Sequence, residues 1–308
     1  MDELVTLFGG GGFLGRYVAQ ELLAAGARIR VAQRRPRDAW FLKPQGGLGQ
    51  IQFAAADVSR PETIARAVAG SDAVVYLAGT FEAGKFAAIH VDGAATVARE
   101  AARTGVGALV HISALGADLN SPSAYGRSKA EGEAAVRAAF PNATILRPST
   151  LFGREDAFVN RFAGMIANWP VVPVLGGATR FQPAWVTDVA SAVTRAIADP
   201  KAHGGATYEL GGPDILSMAE LNRWIAREIG RSVPFVELPD AIGGMVAMLP
   251  GGPITSDQWR MLQRDNVVSA GAKGFAELGI RPTPLATVAP AWLVRFRRNG
   301  RFGKLGEA

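Results

Sequence analysis

Leu4-Val5-Thr6-Leu7-Phe8 runs directly into Gly9-Gly10-Gly11-Gly12-Phe13-Leu14-Gly15, and residues 13–25 then carry a helical apolar pattern. A buried strand that ends in closely spaced glycines and opens a helix brings backbone N–H groups close to a pyrophosphate. Glycine has no Cβ to hold the ligand away, and the start of a helix presents donors with no intrahelical partner. Two registers overlap here, Gly10-x-Gly12-x-x-Gly15 and Gly9-x-x-Gly12-x-x-Gly15. A plain tight turn beneath a close-packed helix would use the same residues. Their position between strand and helix favours nucleotide binding, with Gly9, Gly10, Gly12, Phe13, Leu14 and Gly15 as the contacting residues.

Working outward, Leu14, Val18, Leu22 and Leu23 give the first helix its apolar side, and Gly26 fits its C-terminal cap. Further strands are predicted at residues 28–33, 51–55, 73–78, 108–112 and 144–146, with helices at 61–69, 90–104 and 128–140. Short apolar strands alternating with helices predict an α/β fold, a Rossmann-type doubly wound parallel sheet with a small C-terminal substrate lobe. The expected division is a nucleotide-binding domain at residues 1–150, with returning elements from about 181–212, and a lobe plus basic tail in the remainder of 151–308. Later helices are predicted at 186–198, at 218–229 behind a Ser217/Glu220 capping box, and at 255–264, with Ser256 and Asp257 near its start.

A chain of 308 residues with 48% hydrophobic content can bury a large core. It has no cysteine, which excludes disulfides, thiol nucleophiles and cysteine-ligated metals. His90, His111 and His203 lack metal-ligand spacing, so no metal site is expected. Met1-Asp2-Glu3 offers no basic leader, and no apolar run approaches the roughly 18 residues of a membrane-spanning helix. A soluble, cytoplasmic protein is expected. The net charge of +6 suggests anionic partners.

The end of the second predicted strand discriminates between cofactors. A carboxylate there would accept hydrogen bonds from an unphosphorylated ribose, whereas this chain has Gln33-Arg34-Arg35-Pro36-Arg37. The guanidinium forks of Arg34 and Arg35 suit a ribose 2′-phosphate, which favours NADPH/NADP+ over NADH; a solvated cationic loop is the alternative. Asp57 and Val58 are candidates for the adenine, and Ala78 and Gly79 for close passage of the cofactor. Ordinary capping and turning would use the same four residues.

Ser113 ends a strand, and Tyr125-Gly126-Arg127-Ser128-Lys129 opens a helix twelve residues later. Tyr125 and Lys129 are four apart and share a helix face. An ammonium beside a phenol favours phenolate, so Lys129 is expected to lower the Tyr125 pKa and ready it for proton exchange with a carbonyl or alcohol. Ser113 could hold the same oxygen, and Lys129 the nicotinamide ribose.

These residues, together with Arg147-Pro148-Ser149, resemble those of the extended, atypical short-chain dehydrogenase/reductase family over nearly the whole chain. The resemblance implies that Pro148 lies near the nicotinamide and that residues 181–190 are mainly structural, with Asp188 a helix cap. Within that family, residues 8–18, Ala139-Phe140-Pro141 and Leu151-Phe152-Gly153-Arg154-Glu155-Asp156 with Asn160-Arg161-Phe162-Ala163 are similar to the 39-kDa-type accessory subunits of respiratory complex I. That likeness implies tightly held NADPH, quinone-module subunits as partners, a peripheral position at the cytoplasmic face of the inner membrane, and a stabilising role. The intact Ser-Tyr-Lys set allows the alternative of a reductase for a quinone-like or other apolar carbonyl substrate. Sugar-nucleotide epimerases space the serine and tyrosine further apart, and residues 81–86 hold no sugar-diphosphate signature, so an epimerase is not expected.

Two late segments raise partner questions. Residues 238–250 include Ile242, Met245, Val246, Met248 and Leu249 between Pro239 and Pro250, which suits packing, an apolar pocket or a lipid surface. Residues 291–304 combine five cations with Trp292, Phe296 and Phe302, a composition for an anionic membrane surface or an acidic protein groove. Nucleic acid is not expected as a partner, and a merely solubilising end is the plain reading.

Overall fold

A computed structural model of the chain describes residues 3–249 and 254–302. Met1 and Asp2 of the start, Pro250 of the apolar segment, and Gly303 and Lys304 of the tail lie outside the described residues. The chain divides into two compact units, one formed by Met1–Pro148, Val186–Leu210 and Ala270–Arg281, the other by Ser149–Trp185, Gly211–Ser269 and Pro282–Ala308.

The first unit is built on β1 (Leu4–Phe8), β2 (Arg28–Gln33), β3 (Ile51–Ala55), β4 (Ala73–Tyr76), β5 (Ala108–Ile112), β6 (Thr144–Pro148) and the strand Thr207–Leu210. All neighbours pair in parallel. From one edge the order is Thr207–Leu210, β6, β5, β4, β1, β2, β3. Direction of winding reverses between β4 and β1, so the connections that leave the carboxyl ends of those two strands run to opposite faces of the sheet and open a crevice, where ligands of such sheets bind.

Helices cover both faces, which is why β1, β4 and β5 are buried along their whole length. On one face α2 (Pro61–Val68), α3 (Ala94–Arg103) and α4 (Ala124–Ala139) bury Ile64, Val97 and Val136 against Phe8, Val74, Tyr76, Leu109 and Ile145. On the other, α1 (Phe13–Ala24) packs beside α6 (Val186–Ala198).

The helix predicted at 90–104 begins earlier and differently, as the π-helical turn Ala87–Gly93 leading into α3. Two carbonyls are drawn outward there. Ile89 accepts the Tyr76 hydroxyl, and the His90 carbonyl fills the place where a Cβ on Gly132 of α4 would sit. Helix α4 also starts before the predicted 128, because Ser123 Oγ accepts the Gly126 N–H at 3.3 Å and caps it at Ala124. Asp188 lies buried inside the first turn of α6 rather than at a cap position.

The second unit centres on α5 (Val159–Asn168) packed on the helix Met218–Glu228. Val159, Ile166, Leu221, Ile225, Leu285 and Leu293 form its core with Phe152. Ser217 and Glu220 make the predicted capping box, and the helix predicted at 255–264 runs over Ser256–Leu262 behind a second box of Thr255 with Gln258. The apolar segment folds as the helix Asp240–Met248, its Gly243 seated against the Trp259 ring and its Met245 and Met248 exposed.

Of the basic segment, residues 291–297 are not a free tail. Leu293 is fully buried, Trp292 stacks on Phe152 at 6.4 Å, and Phe296 packs on the same core. Arg297 Nε donates to the Glu228 carbonyl at 3.1 Å. The aromatics read as membrane or partner anchors are therefore spent internally up to Phe296, and Phe302 alone among the three is exposed.

Candidate dinucleotide groove and Tyr-Lys site

The glycine loop sits where the sheet order reverses. Gly9 has φ +89°, in the left-handed region, and a Cβ there would lie 3.2 Å from the Ala78 nitrogen after β4, so the position is closed to other residues twice over. Gly15 is closed by approach alone, since its Cβ would stand 2.5 Å from the Gly9 carbonyl oxygen. The first intrahelical bond of α1 runs from the Arg16 N–H to the Gly12 carbonyl. The N–H groups of Phe13, Leu14 and Gly15 precede it and point out of the helix start. No side chain caps this end and no acid stands in its first turn, which leaves the positive end of the helix dipole for an anion.

A groove of about 440 Å³ begins at this loop. Gly9 and Gly12 form one wall, Ala32 lies near the end of β2 and Arg34 follows it, Asp57 and Val58 follow β3, and Ala78 and Gly79 follow β4. Seven of the sequence-derived candidates, Gly9, Gly12, Arg34, Asp57, Val58, Ala78 and Gly79, thus meet in one cleft whose shape and charge fit a dinucleotide. Gln33 also lines the groove with its amide already bonded: its Oε1 accepts the Gly11 N–H at 3.1 Å and its Nε2 donates to the Arg35 carbonyl at 2.7 Å, pinning the loop to β2. Arg35 is exposed and lies off the groove wall, at the start of the 3-10 turn Pro36–Gln45.

Asp57 has both roles open to it in sequence. Its Oδ1 accepts the Ser59 N–H at 3.0 Å and hydroxyl at 2.7 Å, which shapes the turn after β3 while the residue lines the groove. Those hydrogen bonds, and more weakly the Arg34 and Arg60 charges, hold its carboxyl below the usual range.

Beyond Gly79 lies the second cluster. A Cβ on Gly79 would be 3.8 Å from both Lys129 Nζ and His90 Nε2, so this glycine joins groove to cluster. Lys129 is buried, its Nζ donates to the Ile112 carbonyl at 3.1 Å, and it lies 5.9 Å from the Tyr125 ring centroid. Burial lowers its pKa to about 8, against the opposing pull of Glu133. Ser113 donates its N–H to the Leu146 carbonyl at 2.7 Å, and its buried Oγ has no hydrogen-bond partner among the described residues. Such an orphaned hydroxyl in a protein interior is a group that awaits a ligand or water.

Tyr125 corrects an expectation. Its phenol is pushed up to about 12 by burial rather than down by Lys129. The ammonium is turned to a backbone carbonyl and stands off the ring, so desolvation of the phenolate outweighs its attraction. Sequence reasoning also missed what surrounds the phenol. Phe81 stacks on the Tyr125 ring at 4.8 Å, while Phe86 and His90 meet it edge-on at 5.9 and 5.5 Å. Local patterning gave no signal for these contacts beyond the aromatic pair flanking residues 81–86.

His111, on β5, is buried and stacked on Tyr76 at 5.6 Å, with neither ring nitrogen partnered among the described residues. Burial holds it well below the usual histidine range. Pro148 ends β6, and its carbonyl accepts the Leu115 N–H at 3.0 Å; it lies off the groove wall. Its neighbours are structural: Arg147 makes a fork to Glu133 at 2.8 and 2.7 Å with Glu209 at 3.4 Å, and Ser149 Oγ donates to Asn266 Oδ1 at 2.7 Å.

Residues 152–156 build a turn rather than a site. Asp156 accepts N–H groups from Gly153 at 3.1 Å, Phe158 at 2.8 Å and Asn160 at 3.1 Å, closing the loop onto the start of α5. Arg295 ties the late chain to the same loop through the Arg154 carbonyl at 3.1 Å.

Comparison with known proteins agrees with this geometry. Over 96% of its length the chain is 34% identical to the mitochondrial NADH dehydrogenase [ubiquinone] 1 alpha subcomplex subunit 9 of Arabidopsis thaliana, covering 79% of that protein. It is 31% identical to the ceramide reductase of Caulobacter vibrioides, with 77% of this chain and 74% of that one covered. Among solved structures, the UDP-glucose 4-epimerase of Thermotoga maritima superposes with a TM-score of 0.73 at 17% identity, over 95% of this chain and 98% of that one, a likeness of fold. Residues 5–211, from β1 through the last strand of the sheet, match the NAD dependent epimerase/dehydratase family. With the strand-glycine-helix cradle at the sheet's switch point and the Tyr-Lys pair beyond it, the chain belongs to that family of nicotinamide-cofactor proteins.

Proposed function

We propose that this protein is an NADPH-holding accessory or assembly component of a respiratory NADH:quinone oxidoreductase, in which the cofactor serves mainly to stabilise the fold. The observation that carries the reading is the near full-length likeness to the Arabidopsis subunit, whose name places that protein in NADH dehydrogenase. The groove supports NADPH in particular. Neither Gln33 nor Arg34, at the end of β2, offers a carboxylate to ribose hydroxyls, and Arg34 lines the cleft as a cation. The N–H groups of Phe13, Leu14 and Gly15 would hold the pyrophosphate, and Lys129 the nicotinamide ribose. Phe81 against Tyr125, and a phenol pushed up to about 12, suit a cofactor kept in place.

Native purification of the full chain from its own membranes, with subunit identification and assay of the nucleotide released on denaturation, tests this. NADP(H) in near-equal amount with the protein, together with NADH:quinone oxidoreductase subunits, is expected. A protein recovered alone and without nucleotide would sink the reading.

A second reading, a reductase of an apolar carbonyl compound, draws on a separate observation: Ser113, Lys129 and Tyr125 remain intact beyond Gly79, and the Caulobacter relative is named for a reduction. A bound nicotinamide would supply hydride transfer, with Tyr125 passing the proton and Ser113 Oγ steadying the oxygen. Turnover of apolar carbonyl compounds that disappears in Tyr125→Phe would favour it, and equal trace rates in both proteins would exclude it.

A further inference from the structure

His90 lies at the junction of groove and cluster, and its bonding determines its tautomer. The Thr80 N–H donates to Nε2 at 3.1 Å, so Nε2 is a bare acceptor. The ring proton then sits on Nδ1, which is 2.9 Å from Ser128 Oγ. The Ser128 hydroxyl in turn donates to the Tyr125 carbonyl at 2.8 Å, an atom that can only accept. The ring is also fixed face to face with Phe86 at 5.2 Å and edge-on to Tyr125 at 5.5 Å. Every polar atom of this buried imidazole is therefore used, in contrast to His111.

The chain Thr80 N–H, His90, Ser128, Tyr125 carbonyl links two elements that are far apart in sequence. One is the segment after β4 that carries Gly79 and ends the groove; the other is the first turn of α4, which carries Tyr125 and Lys129. We propose that neutral His90 is a positioning residue that holds the Tyr125–Lys129 turn in register with the nicotinamide end of the groove. This inference rests on the reading that the groove holds a nicotinamide dinucleotide. It acts through backbone and hydroxyl groups, its two ring nitrogens being bonded to the Thr80 N–H and the Ser128 hydroxyl.

The test compares full-length wild type with His90→Phe, which keeps a flat ring and loses both hydrogen bonds, and His90→Gln, whose amide can accept from Thr80 and donate to Ser128. Calorimetry is run with NADPH and with 2′,5′-ADP, which lacks the nicotinamide half. Loss of two buried hydrogen bonds should weaken NADPH about tenfold in His90→Phe and leave 2′,5′-ADP within about twofold. His90→Gln should recover most of the NADPH affinity. Wild-type affinity for both ligands in His90→Phe, or an equal loss for both, overturns the positioning role. Wild type that binds neither nucleotide overturns the cofactor reading and this inference with it, so the two failures are distinct. Should His90→Phe not fold, His90→Leu, which also loses both hydrogen bonds, takes its place: a larger loss for NADPH than for 2′,5′-ADP supports the role, and equal loss or none overturns it.

Discussion

The glycine loop and the 152–160 turn are the two regions whose sequences carry the most recognisable patterns, and they use their polar groups in opposite ways. At the glycine loop the N–H groups of Phe13, Leu14 and Gly15 face outward, and among the described residues no side chain caps the helix and the Ser113 hydroxyl beyond the groove has no partner. In the turn, the Asp156 carboxylate takes three N–H groups and Asn160 Nδ2 donates to the Gly153, Arg154 and Asp156 carbonyls. The lesson is that a distinctive motif marks a relationship, whereas a ligand site is marked by donors and acceptors that the fold leaves unspent. The run of residues 152–156 points to relatives and yet does architectural work.

The comparison breaks most visibly at Gly15. In Gly15→Val the side chain must displace the Gly9 carbonyl and the Gly10 backbone, which stand 2.5 and 2.7 Å from the Cβ position. Overpacking of this kind should cost about 3 kcal/mol and remove NADPH binding altogether, read by thermal unfolding and calorimetry. Asp156→Ala should do the reverse. It forfeits the cap of α5 and leaves buried N–H groups unpaired, costing about 2 kcal/mol in denaturant unfolding, while nucleotide affinity stays within error. A fall in affinity for Asp156→Ala would show that the turn is part of the site after all.

Smaller effects sharpen the groove itself. Arg34→Ala should weaken NADPH about tenfold and NADH hardly at all, as expected for the loss of one charge-assisted contact to a phosphate. Arg35→Ala, off the groove wall, should change neither. If both ligands weaken equally in Arg34→Ala, the 2′-phosphate assignment fails.

The last prediction concerns pH and the two buried histidines. His90 is lowered from 6.5 to about 3, by burial first and the Lys129 charge second, and His111 lies well below its ordinary value for the same reasons. Each stays neutral in the fold while the unfolded chain takes up a proton below pH 6.5. Stability is therefore complete above pH 6.5 and is withdrawn as pH falls toward the folded-state values. The loss should be about 1 kcal/mol per histidine between pH 6.5 and 5.5. Denaturant midpoints across that range should fall less steeply in His90→Phe than in wild type, and parallel slopes would show that His90 titrates normally.

Much of the fold was legible because its signals are local. The strand β1, the glycines after it, the helix α1 and the Ser217/Glu220 capping box each depend on residues within a few positions of one another. The Tyr125–Lys129 pair was legible for the same reason, being one helical turn. What failed was long-range. Phe81 stacks on Tyr125, His90 bonds Ser128, and Arg295 reaches the Arg154 carbonyl, separations of 44, 38 and 141 positions in the chain. The packing of Trp292 and Phe296 was hidden for the same reason, because composition reports which side chains are present and not whether a core already holds them.

The amino-acid sequence by itself determined the α/β alternation, the glycine loop between β1 and α1 and the cationic end of β2, since periodicity, glycine spacing and charge are properties of neighbouring residues. Only the tertiary structure decided the environment of those groups. It turned Lys129 to a backbone carbonyl, raised Tyr125 through burial, committed Gln33 to the loop and Asp156 to a cap, and gave His90 one tautomer. Desolvation and hydrogen-bond pairing depend on what the folded chain brings together, and no local pattern records that.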